Sequence, residues 1–302
     1  MVKAVIDLGT NTFNLLIANV NKGKIYPIYK DKEAVGLGLG GINEQRISEQ
    51  AIARAVLCLS GFKKICDNFG VELIHTYGTS AIRDAKNQSE FLKQVLDSTG
   101  IIITVISGRE EAHLIYHGIQ YSHKFTKDSI IMDIGGGSTE FIIANASGVI
   151  DLVSLNIGIS RIFQFFSFND PMTDSDIEVV ENYLEQNSEG FFNNKRCDLL
   201  IGASGSFETF YELIYKKPFS KLYKTHSLDF TLMLELLDTI IYSTRAERDI
   251  NPFIIPMRKK MAPLAAIKTR WLIRKMKVNE IIVSPCSLKE GGLLISKIEK
   301  SA

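Results

Sequence analysis

The chain has 302 residues, of which 45 % are hydrophobic, and its 35 lysines and arginines almost balance its 34 aspartates and glutamates. This length exceeds one ordinary core, so we expect two domains, and a net charge of +1 by itself indicates little about partners. There is no apolar run of ~20 residues and no basic, apolar leader, which predicts a soluble, cytoplasmic protein. The four cysteines lack C-x-x-C spacing, which favours buried free thiols over disulfides or zinc ligands.

The first half of the chain predicts the order β-β-β-α-β-α-β-α. Strands are expected at 3–7, 13–20, 24–30, 73–77 and 101–106. Ser48 begins a helix with an apolar face that Gly70 ends, and further helices are expected at about 89–99 and 108–121. A glycine-rich loop, 35–41, separates the third strand from the first helix.

The second half begins in the same way. Strands are expected at 129–132, 139–145, 149–155, 198–201 and 280–283. Helices are expected at about 159–166, 174–192, 207–215, 263–276 and 288–298, and the segment 228–241 is expected to be a helical insertion.

The segment DIGGGSTE, residues 133–140, lies between two apolar runs and predicts the tight turn of a buried β-hairpin. Three glycines allow positive φ and bring bare N–H groups close to an anion, which is how glycine-rich turns hold phosphate. Asp133 and Glu140 add two carboxylates that could hold Mg²⁺ against that phosphate. The alternative is a purely structural hairpin, which would need only one or two glycines.

This motif occurs twice. A shift of 126 positions places residues 5–19 on 131–145 without a gap, so that Asp7 falls on Asp133 and Thr12 on Ser138. A second pair of similar segments, YGTSA and IGASG, follows in the same order. The pattern indicates a duplication whose two halves close a cleft around a phosphorylated ligand.

Two β-β-β-α-β-α units with Asp and Gly hairpins resemble the actin, Hsp70 and sugar-kinase superfamily. Four motifs, IDLGTNTFNLLIA, GTSAIRDAKN, ISGREEAHLIYHGI and DIGGGSTEFI, followed by GASGS and VSPCSLKEGGLL, resemble the exopolyphosphatase and guanosine pentaphosphate phosphatase family. The resemblance implies an α/β fold of two ribonuclease-H-like (actin-like ATPase) domains, at 1–124 and 125–302, whose last helix can pack back on the first domain. It also implies Mg²⁺ dependence and a homodimer.

The resemblance assigns roles to individual residues. Glu111 matches the family's general base or water-orienting carboxylate, with a helix-start acid as the alternative. Arg83 matches the arginine that holds the terminal phosphate, with a salt bridge to Asp84 or Glu33 as the alternative. The metal or its waters would be held by Asp7, Asp133 and Glu140, and phosphate oxygens by Thr10, Asn11, Gly135, Gly136, Gly137, Ser138 and, farther along the substrate, Ser204, Gly205 and Ser206.

The sequence departs from the family in two respects. Many members have Arg or His where Asn14 stands, which predicts one weaker contact near the first hairpin. Longer members carry an extra helical C-terminal region, so we expect limited processivity on long polyphosphate here. Two basic clusters are candidates for a substrate track. They comprise Lys216, Lys217, Lys221 and Lys224, and Arg258, Lys259 and Lys260.

The predicted activity is Mg²⁺-dependent hydrolysis of the terminal phosphate of inorganic polyphosphate, without a nucleic-acid or membrane partner. One alternative is guanosine pentaphosphate 5′-phosphohydrolase, because a guanine pocket would be built from side chains scattered over the cleft, which the motifs do not reveal. A kinase of the same superfamily is disfavoured because Glu111 together with Arg83 favours water as the acceptor. A non-catalytic nucleotide or polyphosphate sensor would keep the hairpins, and the presence of Glu111 argues weakly against it.

Overall fold

The computed structural model describes residues 1–220 and 222–295, and its strands form two sheets. Five strands of the first half are β1 (Val2–Leu8), β2 (Phe13–Asn21), β3 (Lys24–Glu33), β4 (Leu73–Gly78) and β5 (Thr104–Val105). Those of the second half are β6 (Ser129–Ile134), β7 (Thr139–Asn145), β8 (Gly148–Leu155), β9 (Leu199–Ala203), β10 (His226–Leu228) and β11 (Glu280–Val283). The sheet orders are β3-β2-β1-β4-β5 and β8-β7-β6-β9-β11-β10.

Helices connect the strands in both halves. In the first half they are α1 (Glu49–Asn68), α2 (Ser80–Arg83), α3 (Gln88–Thr99) and α4 (Gly108–Ser122). The second half contains α5 (Ile159–Phe165), α6 (Asp174–Gln186), α7 (Ser204–Tyr215), α8 (Phe230–Ile241), α9 (Arg245–Ile250), α10 (Ala262–Met276) and α11 (Leu288–Leu294). Within the described ranges, no helix combines the length and apolar character that a membrane crossing requires.

The two sheets repeat one strand pattern, which confirms the predicted fold class of two mixed α/β domains. In each, the central strand pairs antiparallel with the next strand and parallel with the strand after the first long helical connection. Asp7 lies near the end of β1, opposite Asn14 on β2, and Asp133 lies near the end of β6, opposite Glu140 on β7. Each sheet therefore presents its motif carboxylate at the carboxyl end of a central strand.

Several predicted elements differ from the observed ones, three of them most clearly. The acidic helix predicted at 174–192 ends at Gln186, because Asn187 and Ser188 follow and the backbone turns to positive φ at Glu189 and Gly190. The strand predicted at 101–106 is only Thr104–Val105, since it pairs with β4 over two residues at the sheet edge. The insertion also contains strand β10, antiparallel to β11. Lys221 and the predicted helical residues 296–298 lie outside the described residues.

Two helices each pack against the sheet of the opposite half of the chain. Helix α4 packs on β7 and β8, whereas α11 packs on β1, β2 and α4. The helices cross at Gly118 and Gly291, where an added Cβ would lie 1.9 Å from the Ser287 and Leu114 carbonyl oxygens respectively. This close crossing fixes α4 against α11 at the junction between the sheets. The division of the chain at residue 124 stays a prediction.

Apolar side chains form three buried clusters, one for each sheet and one between the sheets. The cluster between the sheets joins Val5 of β1, Ile131 of β6 and Ile115 of α4. All four cysteines are free thiols, as predicted. Cys66, Cys197 and Cys286 are buried, and Cys58 is half-buried.

Candidate active site

The two hairpin turns face each other across a cavity of about 350 Å³. Its size falls within the range of small-molecule sites. The structure brings together on its wall all the sequence-predicted site residues except Arg83. These are Asp7, Thr10, Asn11, Glu111, Asp133, Gly135, Gly136, Gly137, Ser138, Glu140, Ser204, Gly205 and Ser206.

The second turn, which follows β6, has its three glycine carbonyls bound from behind by the segment that begins α5. The amides of Ile159, Ser160 and Gly158 donate to the carbonyls of Gly135, Gly136 and Gly137 at 3.1, 2.9 and 3.2 Å. In a trans peptide the N–H points opposite to the C=O, so the following amides turn the other way, toward the cavity. In the described part of the chain, the amides of Gly136, Gly137 and Ser138 have no acceptor. Unpaired amides in a turn suit a phosphate.

The first turn, which follows β1, is held in the same way by the glycine-rich loop. Gly38 and Gly36 donate their amides to the carbonyls of Thr10 and Asn11, each at 2.9 Å. Among residues 1–220 and 222–295, the amides of Asn11 and Thr12 have no acceptor. Both halves of the duplication thus use a later segment to orient their turn, and both turns offer amide donors to the cavity.

The two turns also contact each other. An added Cβ on Gly136 would lie 2.9 Å from the Asn11 side-chain nitrogen, and one on Gly137 would lie 2.7 Å from the Thr10 hydroxyl. The Ser160 hydroxyl donates to Asn11 Oδ1 at 2.8 Å. The Asn11 side chain is therefore part of the junction between the halves, while the backbone N–H of Asn11 stays available to a ligand.

Glu111 is held by the first turns of α4. Ser107 and Glu110 form a capping box that begins the helix, which gives Glu110 a structural role. Glu111 is 8 % exposed, and its Oε2 accepts a hydrogen bond from Arg83 Nη1 at 2.9 Å. Burial, followed by repulsion from Glu140, raises the pKa of Glu111 well above its usual range, against the opposing effect of Arg83. A raised pKa makes this carboxylate a better proton acceptor near neutral pH.

Arg83 lies behind Glu111 instead of on the cavity wall. Besides Glu111, its Nη1 donates to the Ile106 carbonyl at 3.1 Å, and its Nε lies 3.8 Å from Asp84. The salt bridge to Asp84 considered from the sequence is therefore present, but Glu111, which was not considered as a partner, lies closer to Arg83. In this arrangement Arg83 holds the Glu111 carboxylate, and its contact with the terminal phosphate stays a prediction.

The three remaining carboxylates are held by neutral donors. Asp133 accepts from the hydroxyls of Ser204 and Ser287, at 2.5 and 2.6 Å, so Ser204 on the cavity wall also holds a carboxylate. Asp7 accepts from Asn14 Nδ2 at 3.1 Å, and Glu140 accepts from the Ser154 hydroxyl at 2.7 Å. Mainly through burial, the pKa of Asp7 is raised to about 6 and that of Glu140 to about 7.

The donor set of this cluster fits a hard divalent cation. Asp7, Asp133 and Glu140 present oxygen atoms, and burial with mutual repulsion disfavours their ionised forms, which a cation would reverse. Within the described residues, no three His, Cys, Asp or Glu side chains converge closely enough to hold a metal alone. That arrangement suits Mg²⁺, which binds through one or two carboxylates, waters and substrate phosphates.

The cleft contains cations that were not predicted from the sequence. Lys289, from the VSPCSLKEGG motif, is half-buried on the wall, and Lys30 and Lys32 of β3 lie on the same wall. Burial alone would lower the pKa of Lys289, but Glu290, Asp7, Glu208 and Asp133 raise it. Lys289 could have been found from the sequence, because it follows a predicted strand within the VSPCSLKEGGLL motif. Lys30 and Lys32 gave no signal.

Of the described members of the two basic clusters, only Arg258 lines the cleft. Its guanidinium lies directly over Gly205, where an added Cβ would collide with it, and its Nη1 donates to Thr209 Oγ1 at 2.7 Å. Lys216 and Lys217 lie instead over aromatic rings, 5.6 to 5.8 Å from the ring centres. The described members of the two clusters therefore do not form a continuous substrate track.

Lys268 is a buried cation that sequence analysis missed. It is fully buried in α10, and its Nζ donates to Thr139 Oγ1 at 2.5 Å and to the Ile157 carbonyl at 2.6 Å. Burial lowers the pKa of Lys268 to about 7, against the opposing effect of Glu140. The side chain joins the start of β7 to the segment behind the second turn. Its position in an apolar helix gave no sign of this role.

The buried carboxylate of Glu140 predicts an unusual stability change. Its folded-state pKa of about 7 exceeds the ordinary 4.5, so the folded protein keeps a proton that the unfolded chain loses. Ionised Glu140 therefore costs stability above pH 7, and the cost fades as pH falls toward 4.5. With EDTA present, we expect Glu140→Gln to melt about 2–4 °C above wild type at pH 8 and to lose that advantage at pH 5. An equal difference in melting temperature between Glu140→Gln and wild type at both pH values would contradict the raised pKa of Glu140.

Comparisons with known proteins agree with this geometry. A model of the Ppx/GppA phosphatase family matches residues 16–301. The chain is 36 % identical over 220 residues to the bifunctional 3-dehydroquinate synthase/phosphatase of Fusobacterium nucleatum, covering 68 % of this chain and 33 % of that protein. It is 32 % identical over 215 residues to a guanosine-5′-triphosphate,3′-diphosphate pyrophosphatase of Photobacterium profundum, covering 70 % and 43 %. The chain thus spans less than half the length of these two curated relatives.

A solved structure matches over nearly the whole of both chains. It is the crystal structure of an exopolyphosphatase from Cytophaga hutchinsonii, with a TM-score of 0.92 and 34 % sequence identity. The alignment covers 97 % of this chain and 96 % of that one.

Proposed function

The chain belongs to the Ppx/GppA phosphatase family, and on that premise we propose that it is an exopolyphosphatase, which hydrolyses the terminal phosphate of inorganic polyphosphate. The observation that carries the proposal is one cavity that combines two amide-lined turns with the buried carboxylate of Glu111. The turns supply donors for a phosphoryl group, and Glu111 supplies a proton acceptor for water. A phosphoanhydride hydrolase needs both.

In the proposed reaction, a water molecule attacks the terminal phosphorus and the bridging P–O bond breaks. Glu111 orients that water and accepts its proton, and Arg83 holds the carboxylate in place. The amides of Gly136, Gly137 and Ser138 hold the oxygens of the phosphoryl group. The electron pair of the broken bond stays on the shortened polyphosphate, whose negative charge faces Lys289 and Arg258 on the cavity wall.

Asp133, Glu140 and Asp7 would hold Mg²⁺ or its waters, and the ion when bound would neutralise charge on the phosphate oxygens. Three carboxylates beside a polyanion repel it strongly unless cations intervene. Lys289 lies on the same cavity wall, and the charges of Asp7 and Asp133 contribute to its raised pKa. Lysine therefore offsets part of the repulsion, and we propose that the metal offsets the remainder.

Guanosine pentaphosphate is the second candidate substrate. The observation in its favour is the relative from Photobacterium profundum that is named for acting on that compound. Polyphosphate stands first because the exopolyphosphatase structure is matched over nearly its whole length, whereas the pyrophosphatase is matched over 43 %. A sensor without activity would not need a carboxylate on the cavity wall, and here Glu111 is held there by Arg83.

Phosphate release from four compounds tests the proposal. Wild-type protein with Mg²⁺ is given short polyphosphate, long polyphosphate, guanosine pentaphosphate and ATP at equal concentrations of terminal phosphate. We expect the highest kcat/KM for polyphosphate, and for short over long chains. A higher kcat/KM for guanosine pentaphosphate would select the second candidate. Tight binding without release from any of them would favour the sensor and contradict hydrolysis.

A further inference from the structure

Arg161 on α5 joins the second turn to the opposite half of the molecule. The residue is 9 % exposed although its side chain carries a charge. Its Nε donates to the Gly137 carbonyl at 3.1 Å, its Nη1 to the Ile42 carbonyl at 3.3 Å and its Nη2 to Asp84 Oδ2 at 2.8 Å. Gly137 belongs to the second turn, whereas Ile42 and Asp84 belong to the first half of the chain. One guanidinium therefore contacts both sides of the cleft.

The neighbours of Arg161 extend this link to the first turn. Its main-chain carbonyl accepts from Asn43 Nδ2 at 3.1 Å. One helical turn away, Gln164 donates to the Gly38 carbonyl at 3.1 Å and accepts from the Gly40 amide at 2.9 Å. Gly38 is the residue whose amide orients Thr10 in the first turn. Helix α5 thus contacts the segments that hold both turns.

The energetics of a buried charge make this link sensitive to domain position. A guanidinium taken out of water is stabilised only if its donors are satisfied, and here two of the three acceptors lie in the other half. Separating the halves by even a few ångström would leave Arg161 with the Gly137 carbonyl alone. A lysine could pair with Asp84 but could not reach three acceptors at once, because it lacks the planar fork.

We propose that Arg161 is a positioning residue for phosphate hydrolysis: it aligns the amides of the second turn only when the two halves are together. The inference rests on the proposed function for its catalytic consequence. Asp84 follows Arg83, the residue that holds Glu111, so the same contact also ties the second turn to the segment that carries the Glu111 partner. Closure of the cleft and alignment of the donors become one event.

The variants Arg161→Gln and Arg161→Lys test the proposal. Arg270→Gln is the matched control, because Arg270 also pairs with a carboxylate, Asp238 at 2.7 Å, but within the second half and away from the cavity. With polyphosphate, we expect kcat to fall at least about tenfold in Arg161→Gln while KM changes less than about threefold, since donors aimed at the transition state affect kcat. Arg161→Lys should recover part of that loss, and Arg270→Gln should match wild type.

Hydrogen exchange gives a second readout that does not need activity. In Arg161→Gln, peptides spanning residues 35–43 and 133–141 should exchange faster than in wild type and in Arg270→Gln, while the strands of both sheets keep their protection. Unchanged kcat, or faster exchange spread evenly over the second half, would overturn the proposal. If wild type releases no phosphate from any substrate, the proposed function is wrong. The exchange pattern alone then tests whether Arg161 holds the second turn against the opposite half.

Discussion

Replacing Glu111 by glutamine is expected to lower kcat for phosphate release at least about a hundredfold, the scale of losing a general base. Glutamine keeps the shape of the side chain and an oxygen that can accept from Arg83, but it cannot take a proton from water. KM should change little, because Glu111 acts on the water and not on the polyphosphate. The measurement is steady-state phosphate release with Mg²⁺ and short polyphosphate.

Glu110→Gln is the control for this prediction. Glu110 lies on the same helix turn, and glutamine can replace glutamate in the capping box with Ser107. We therefore expect wild-type kcat and a nearly unchanged melting temperature for the control. If Glu111→Gln retained more than about a fifth of the wild-type kcat, Glu111 would not be the proton acceptor.

Gly158→Ala is expected to lower kcat about a hundredfold through the backbone of the second turn. An added Cβ would lie 2.2 Å from the Gly136 carbonyl oxygen and 2.3 Å from the Gly137 carbonyl carbon, so the turn must move. A shift near 1 Å in groups that position a substrate can cost that much in rate. Overpacking should also lower the free energy of unfolding by about 1–3 kcal/mol. Kinetics and urea unfolding measure the two effects.

Gly61→Ala is the matched control for the glycine. Gly61 lies inside α1, and an added Cβ there would meet no atom within 4 Å. Because alanine favours helix more than glycine does, the control should gain up to about 1 kcal/mol in stability and keep its activity. Wild-type kcat in Gly158→Ala would show that the turn does not need its observed position, and would contradict the role given to its amides.

Local sequence was sufficient for the elements that depend on neighbouring residues. Strand β7 has the predicted bounds 139–145, because a buried apolar run ends there at a turn. The duplication identified both hairpins and placed Asp7 and Asp133 at equivalent positions of two sheets. The residues named from the motifs meet at one cavity for the same reason, since central strands of equivalent domains end at the cleft.

Features that depend on distant contacts were not predictable from one sequence. Arg161 and Gly158 act on turn residues 21 to 24 positions earlier, and Arg161 also reaches Asp84, 77 positions away. Nothing near them in the sequence marks those partners. The sequence predicted phosphate binding for Arg83 but not its hydrogen bond to Glu111, which forms because α4 and α2 meet at the same edge of the cleft. Lys268 lies on an apolar helix whose burial is set by tertiary packing.

Hydrolysis in ¹⁸O-labelled water tests the central claim, that water attacks the terminal phosphorus of polyphosphate. Wild-type protein is incubated with Mg²⁺ and short polyphosphate in labelled water, and the first phosphate released is analysed by mass spectrometry. Each phosphate should carry one ¹⁸O, and the shortened chain should carry none, because the bridging bond breaks on the side of the terminal phosphorus. Label in the shortened chain, or release of unlabelled phosphate, would show that the attack takes place elsewhere and would contradict the proposed mechanism.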